Sequence, residues 1–274
     1  MPSINTNVAA IKARSNLDRV QRDLDTSIAR LSSGKRITRA HDDAAGQAIA
    51  GRMESQVRGL TMGVRHAKDG QSLVDTQEGA LQEVAGILQR MRELAVQKSS
   101  GVAVSADQDY LNLEMTALTN ELDAISANTK FNGTTVMSTA YNFLTDIDAS
   151  GTAIAVAAGT MGQTALAVNM AVVSIASGST VTITSVLTSI DAGLATVANR
   201  RATLGAVSNR FDHVIDNLTN VIANTEAAKS RVEDADFAVE TTQLTRNTVL
   251  QQAATSMVAQ ANASKNSILA LIQG

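Results

Sequence analysis

The chain has 274 residues, 44% of them apolar and 18% charged, the balance of a folded soluble protein rather than a disordered one. Its formal charge of −3 gives no general electrostatic case for nucleic acid. Four Phe and two Tyr are the only aromatic residues and there is no Cys, which excludes disulfide and thiol chemistry and points away from the ring-rich core of a compact enzyme.

A first helix is expected from about Asn5 to Leu31. Ile4, Val8 and Ile11 share one stripe of it, and Leu17, Leu24, Ile28 and Leu31 another. Ser32-Ser33-Gly34 closes it, with Gly34 as the stop. The sole proline is Pro2, so proline breaks no helix interior. After a basic stretch of Lys35, Arg36, Arg39 and His41, Asp42 is the expected N-cap of a second helix running from about Asp43 to Ser99. Along it Met53, Leu60, Ala67, Val74, Leu81, Leu88 and Ala95 are all apolar at a spacing of seven. Such a repeat marks a helix built to lie along other helices. Val57 and Val64 accompany the seam in its first half, Val84 and Met91 in its second. That change of side follows from the drift of a 3.6-residue helix against a seven-residue repeat. Ser100-Gly101 is read as the end of this helix.

A third helix is expected from about Ala106 to Asn128, with Leu111, Met115, Leu118, Leu122 and Ile125 on one face. The short connection makes it an antiparallel neighbour of the second. The pattern then changes. Asn132-Gly133 predicts a hairpin, and from Ala149 to Ile190 no residue is charged. Val181-Thr182-Ile183-Thr184 alternates as a strand does. Residues 131–185 are therefore read as a small β-containing insert. Its edges carry no charge to blunt them.

Helical repeats return from about Ser185 to Ala228, where Ile190, Val197, Leu204, Phe211 and Leu218 repeat at seven, flanked by Val207, Val214 and Val221. Ser230-Arg231-Val232-Glu233-Asp234 is expected to break the pattern, with Glu233-Asp234 as a cap. A last helix follows from about Asp234 to Ile272, with Leu250, Met257 and Leu271 on one line and Ala254, Ala261 and Ile268 on the next. This last stripe is shallow and rich in Ala, Gln and Asn. Burying alanines yields little free energy, so the first and last helices are both expected to need partners. The fold class is mainly α, a long antiparallel coiled-coil or bundle formed from both chain ends.

Residues with chemical potential have plainer roles. Helix capping accounts for Asp42 and Asp43 beside His41, and no metal site is expected there. His66 and His213 stand on separate helices without a nucleophile pattern. There is no glycine-rich phosphate loop, HExxH or GxSxG, so no catalytic residue and no cofactor is expected, and the chain is read as a non-enzyme. No apolar run is long enough for a membrane helix. The start lacks the apolar core of a cleavable signal peptide.

Several segments resemble bacterial flagellin. SINTNVAA, RLSSGKRI, DDAAGQAIAGRM, DGQSLVDTQEGALQEVAGILQRMRELAVQ and TKFNGTTV are similar to the family's amino-terminal region. LGAVSNRFDHVIDNL, SRVEDADFAVET, VLQQAATSMVAQAN and NSILALIQ are similar to its carboxyl-terminal one. The match covers roughly residues 3–140 and 186–274, in the family's order. Departures are small: Lys35, His66 and Lys68 stand where the family usually has uncharged residues, and a proline common before the last turns is missing.

The resemblance implies a secreted structural subunit that polymerises into the extracellular flagellar filament and drives swimming motility. A hook–filament junction protein of the same organelle is the alternative. A helical signalling module is the reading from another class; the missing membrane helix and the unpatterned middle count against it. The resemblance also implies a division of the chain. Residues 1–42 and 234–274 pair and line an inner tube, 43–130 and 186–233 form the surrounding rod, and 131–185 face outward. Implied partners are further copies of the chain or sister flagellins, an export chaperone and the type III export apparatus, the filament cap and hook-junction proteins. No nucleic acid or membrane is among them. A host innate-immune flagellin receptor is implied to bind Gln89, Arg90, Leu94 and Glu114. Helical seam and subunit packing fall to Met53, Leu60, Val74, Leu81, Leu88, Leu204, Phe211, Leu218, Leu250, Met257, Ile268 and Leu271. The Ser/Thr-rich middle carries sugar in some members of the family.

Overall fold

The computed structural model describes residues 6–99, 105–145, 153–166 and 183–273. Its elements are α1 (Val8–Ser33), α2 (Ala44–Ser99), α3 (Ser105–Asn128), the strands β1 (Lys130–Phe131), β2 (Thr134–Thr135), β3 (Tyr141–Leu144) and β4 (Ala153–Val156), then α4 (Ile183–Glu233) and α5 (Phe237–Gln273). Long helices from both ends and a small strand insert are the architecture that the periodicities predict. Two compact units are formed: residues 1–55 with 224–274, and residues 56–223.

In the second unit the apolar seams form one core. Leu60 and Val74 are buried, and so are Leu81 and Leu88 of α2, Met115 and Leu122 of α3, and Val197, Leu204 and Phe211 of α4. Gln71 bonds Asp212, Arg201 bonds Glu78 and Arg92 bonds Asp191. Residue numbers rise along α2 as they fall along α4, so the two run antiparallel. Arg90 to Glu114 and Lys98 to Asn112 set α3 antiparallel to α2 in the same way.

The Asn-Gly hairpin forms. Lys130 pairs with Thr135 and Phe131 with Thr134. Asn132 and Gly133 both take positive φ, 48° and 80°, as a two-residue turn of matching twist requires. The buried Gln77 of α2 donates to the Val136 carbonyl and ties the hairpin to the helix. A second hairpin pairs Tyr141 with Val156 and Phe143 with Ile154. Ile154 and Val156 are buried, so β4 covers its apolar face against the helices. Phe143 meets Phe211 edge-on, with centroids 5.8 Å apart and planes at 83°.

Glycines make this packing possible. A Cβ on Gly70 would lie 2.5 Å from Phe211 Cζ, and one on Gly63 would lie 2.8 Å from the Thr145 carbonyl oxygen. The two glycines are seven residues apart on α2, opposite Phe211 and Leu218, which are seven apart on α4.

In the first unit α1 and α5 lie antiparallel, with Cα atoms within 8 Å of one another. Asn7 Nδ2 donates to the Ala261 carbonyl, Gln251 to Gln21, and Arg30 to Glu240, each step down α1 matching a step up α5.

Several helix ends differ from expectation. α1 begins at Val8 because the Asn7 side chain accepts the Ala10 amide; Ile4 lies outside the described residues. Gly34 ends α1 in the left-handed conformation, φ 70°, with its amide on the Arg30 carbonyl. The N-cap of α2 is Asp43, not Asp42: Asp43 Oδ1 accepts the Gly46 amide at 2.8 Å. Asp42 instead accepts the Thr38 and Arg39 amides and closes the preceding turn. α4 continues through Ser230–Glu233, and the break falls just after it. Asp236 caps α5, accepting the Ala238 and Val239 amides. Glu233 and Asp234 are therefore not the cap; Asp234 forms a bridge with Lys35. Ile183 and Thr184, expected in a strand, open α4. The burial of Val186 and Ile190 on one helical face outweighs β-branched preference there. Val181, Thr182 and Ser100-Gly101 lie outside the described residues.

Candidate assembly and recognition surfaces

The helix pair of the first unit is apolar on both sides, with Leu17, Leu31, Leu244 and Val258 half-buried. Between its helices it buries Leu24 and Ser27 of α1 and Glu240 and Asn247 of α5. Ala254 and Ala261 are half-buried on the same side as Asn247. Other apolar residues point away: Val8, Ile11 and Ile28 on α1, and Phe237, Val239, Val249, Leu250 and Met257 on α5 are exposed. Leu250 is 46% exposed and Met257 62%, so neither belongs to a seam inside the chain. The side chains of Ile268 and Leu271 lie outside the description. Singly exposed apolar residues are ordinary; repeated along two paired helices they mark an interaction face.

A joint closes the pair where α1 and α4 end. The Ala235 amide donates to the Gly34 carbonyl at 2.9 Å and the Arg36 amide to the Glu233 carbonyl at 2.7 Å. Lys35 Nζ bonds Glu233 at 2.6 Å, and Arg36 Nη2 reaches the Val232 carbonyl. Lys229 bonds Glu54, and that carboxylate holds the Lys229 ammonium above its usual range. The basic stretch 35–39, which by sequence reads as a solvated or subunit-contact patch, has two of its charges, Lys35 and Arg36, bonded within the chain to Glu233 and the Val232 carbonyl. Its signal was the acidic Glu233-Asp234 near the start of the last helix, legible only once the ends are known to meet.

On the second unit Gln89, Arg90 and Glu114 are exposed. Arg90 Nη2 lies 2.8 Å from Glu114 Oε1 and Nη1 lies 3.1 Å from Glu93 Oε2. The hydrogen bonds that the Arg90 guanidinium donates to these two carboxylates, Glu114 first, favour its charged form and raise its pKa. Leu94 is set apart from the other three: it is fully buried in the core. Met53, in the first unit, is half-buried. Among the described residues no helix is long and apolar enough to cross a membrane.

Comparison with known proteins matches residues 4–142 to the model of the bacterial flagellin N-terminal helical region and residues 187–272 to that of the C-terminal helical region. The chain belongs to the bacterial flagellin family. It is 39% identical to a flagellin of Halalkalibacterium halodurans over 98% of this chain and 99% of that one. A Bacillus subtilis flagellin is 38% identical over the same shares, and flagellin FlaB1 of Treponema pallidum 34% identical, also over 98% and 99%. The crystal structure of Bacillus cereus flagellin overlays with a TM-score of 0.46 and 29% identity, covering 60% of this chain and 94% of that one. The alignments with these curated flagellins span 98% of this chain, and the two family models match residues in both units.

Proposed function

We propose that this chain is a structural subunit that polymerises into the extracellular bacterial flagellar filament. Membership of the flagellin family supports it, and one observation carries it: the α1–α5 pair leaves large apolar side chains exposed along both helices, from Val8 and Ile11 to Leu250 and Met257. Such a pair leaves apolar surface for further copies of the same chain to cover. A filament is an open, head-to-tail assembly, so each copy covers one face of the next without closing a ring.

In this reading residues 1–42 and 234–274 line the inner tube, 43–130 and 186–233 form the rod around it, and 131–185 face outward. The role is structural, not catalytic. Export through the type III apparatus with a chaperone, assembly beneath the filament cap on hook-junction proteins, and recognition by a host innate-immune receptor through Gln89, Arg90 and Glu114 over Leu94 complete the proposal. Arg90 suits an anchor because its guanidinium can make several directed hydrogen bonds at once.

Electron microscopy of the purified protein after addition of short filament seeds tests the central claim. Long tubes growing from the seeds are expected. Soluble particles with no growth would replace it with a junction protein or a subunit dependent on a sister flagellin.

A further inference from the structure

We propose that the cleft of the second unit between α3, the tail of the first hairpin and the strap 159–166 is a reversible binding site for a neutral saccharide unit, held through hydroxyl groups.

Helix spacing builds one wall. Asp123 and Ser126 stand three residues apart on α3 and so share a face. Thr135 and Ser138 supply a second wall, and Thr160 and Thr164 of the strap a third. Together they bound a cleft of about 740 Å³, within the range of small-molecule sites. The strap is fixed along its length. The Gly159 amide donates to the Met137 carbonyl at 2.9 Å, and Met161 and Leu166 are buried. Between them the Gln163 amide donates to Asp123 Oδ1 at 2.9 Å, and the Gln163 side chain to Asp123 Oδ2 at 2.6 Å. Gly162 permits that approach, since a Cβ there would lie 2.7 Å from Asp123 Oδ1. The walls are therefore in place before a ligand arrives.

The chemistry of the lining selects the ligand. Among the described residues no cation lines the cleft, and Asp123, its one charged group, repels anions. One carboxylate already accepting at both oxygens is also a poor seat for a metal cation. The remaining polar side chains are hydroxyls. Thr135 and Ser138 share one bond of 2.8 Å. Ser126, Thr160 and Thr164 have no hydrogen-bond partner among the described residues. Thr160 and Thr164 are exposed, but Ser126 is only 9% exposed. Its Oγ would stand 3.8 Å from a Cβ on Gly162, so it faces the strap across the cleft. A hydroxyl so covered lacks a partner, which a ligand that donates and accepts can supply. An apolar ligand would deepen the loss. The adjacent hydroxyls of a sugar ring donate and accept together, which suits hydroxyl walls beside a carboxylate acceptor. No aromatic ring lines the cleft to stack on a sugar face, so hydrogen bonds alone set the affinity.

Saturation-transfer difference NMR on the free full-length protein tests this apart from the filament reading, since no polymer is needed. The probes are glucose, galactose, mannose and N-acetylglucosamine, with N-acetylneuraminic acid as the anionic control. At least one neutral sugar is expected to receive saturation, with a dissociation constant of roughly 1–10 mM, and the anionic sugar none. Ser126→Ala is expected to weaken binding about three- to tenfold, the loss of one hydrogen bond, with the melting temperature unchanged. A methyl glycoside that binds as tightly as the free sugar assigns the ligand to the end of a glycan; binding confined to the free sugar assigns it to a soluble monosaccharide. Absence of transfer to all four neutral sugars would overturn the proposal, with no variant required. So would binding that Ser126→Ala leaves unchanged, or equal transfer to the anionic sugar.

Discussion

Asp42 and Asp43 are neighbours with separate tasks. Asp43 caps α2, while Asp42 gathers the Thr38 amide and hydroxyl and the Arg39 amide. Those bonds, the Arg39 amide foremost, favour the charged form and hold the Asp42 carboxyl below its usual range against an opposing effect of burial. The folded value lies below the unfolded one. The stabilisation is therefore complete above the ordinary carboxylate range and is lost as pH falls through the lowered value. Protection of the Thr38 and Arg39 amides, taken relative to the intrinsic exchange rate at each pH, should fall on acidification, and Asp42→Asn should weaken the turn at neutral pH and flatten that response. An acid profile unchanged in Asp42→Asn would assign the turn to other forces. The proposed receptor patch divides similarly between exposed and buried members. Arg90→Ala should lower receptor signalling by the monomer and leave the melting temperature in place. Leu94→Ala should destabilise the second unit by about 2–5 kcal/mol, because it opens a cavity in a closed core. If Arg90→Ala signals normally, the patch is not the receptor site.

At the scale of elements, α2 and α4 meet through glycine opposite a large side chain. Alanine is the better helix former by about 1 kcal/mol. Gly70→Ala should nevertheless destabilise the second unit by about 1–3 kcal/mol, since its Cβ would meet the buried Phe211 ring and Phe143 stands beside it. Thermal melting of the variant checks the sign; a raised midpoint would show that the ring has room to move. The seven-residue repeat reveals the seam but not these two positions. A glycine in a helix reads as a cost until the ring facing it is seen. The caps at Asp43 and Asp236 lie one to three residues from the positions the sequence suggests, for a related reason. Several acidic residues in a row can each serve as a cap, and only the backbone path selects one.

For the whole molecule, helix content is the quantity that assembly should change. The sparse burial between α1 and α5 predicts less helix by circular dichroism in the free protein than in the filament; equal helicity would remove coupled ordering from the account. Deleting residues 235–274 should leave a soluble chain that forms no filament, because α1 then loses its partner helix and the copy loses half its outward face. Filaments from that truncation would show that α5 is dispensable for assembly.

The periodicities alone determined much of this protein. Apolar residues at every seventh position can be satisfied only by another helix alongside, so α2 and α4 and their buried faces follow directly. Asn132-Gly133 specifies its turn because few other pairs accept two positive φ angles, and Gly34 ends α1 for the same kind of reason. The tertiary structure decided the rest. The stripe of Leu17, Leu24 and Leu31 is the covered side of α1, but the face of α5 was open: its line of Leu250 and Met257 is exposed, while Asn247, Ala254 and Ala261 turn inward. Ile183 and Thr184 carry strand preference, yet the helical face they precede claims them. The antiparallel meeting of the chain ends decides that Lys35 and Arg36 find Glu233 and the Val232 carbonyl. Local preference governs where the chain turns; burial, which depends on segments far apart in sequence, governs what it turns toward.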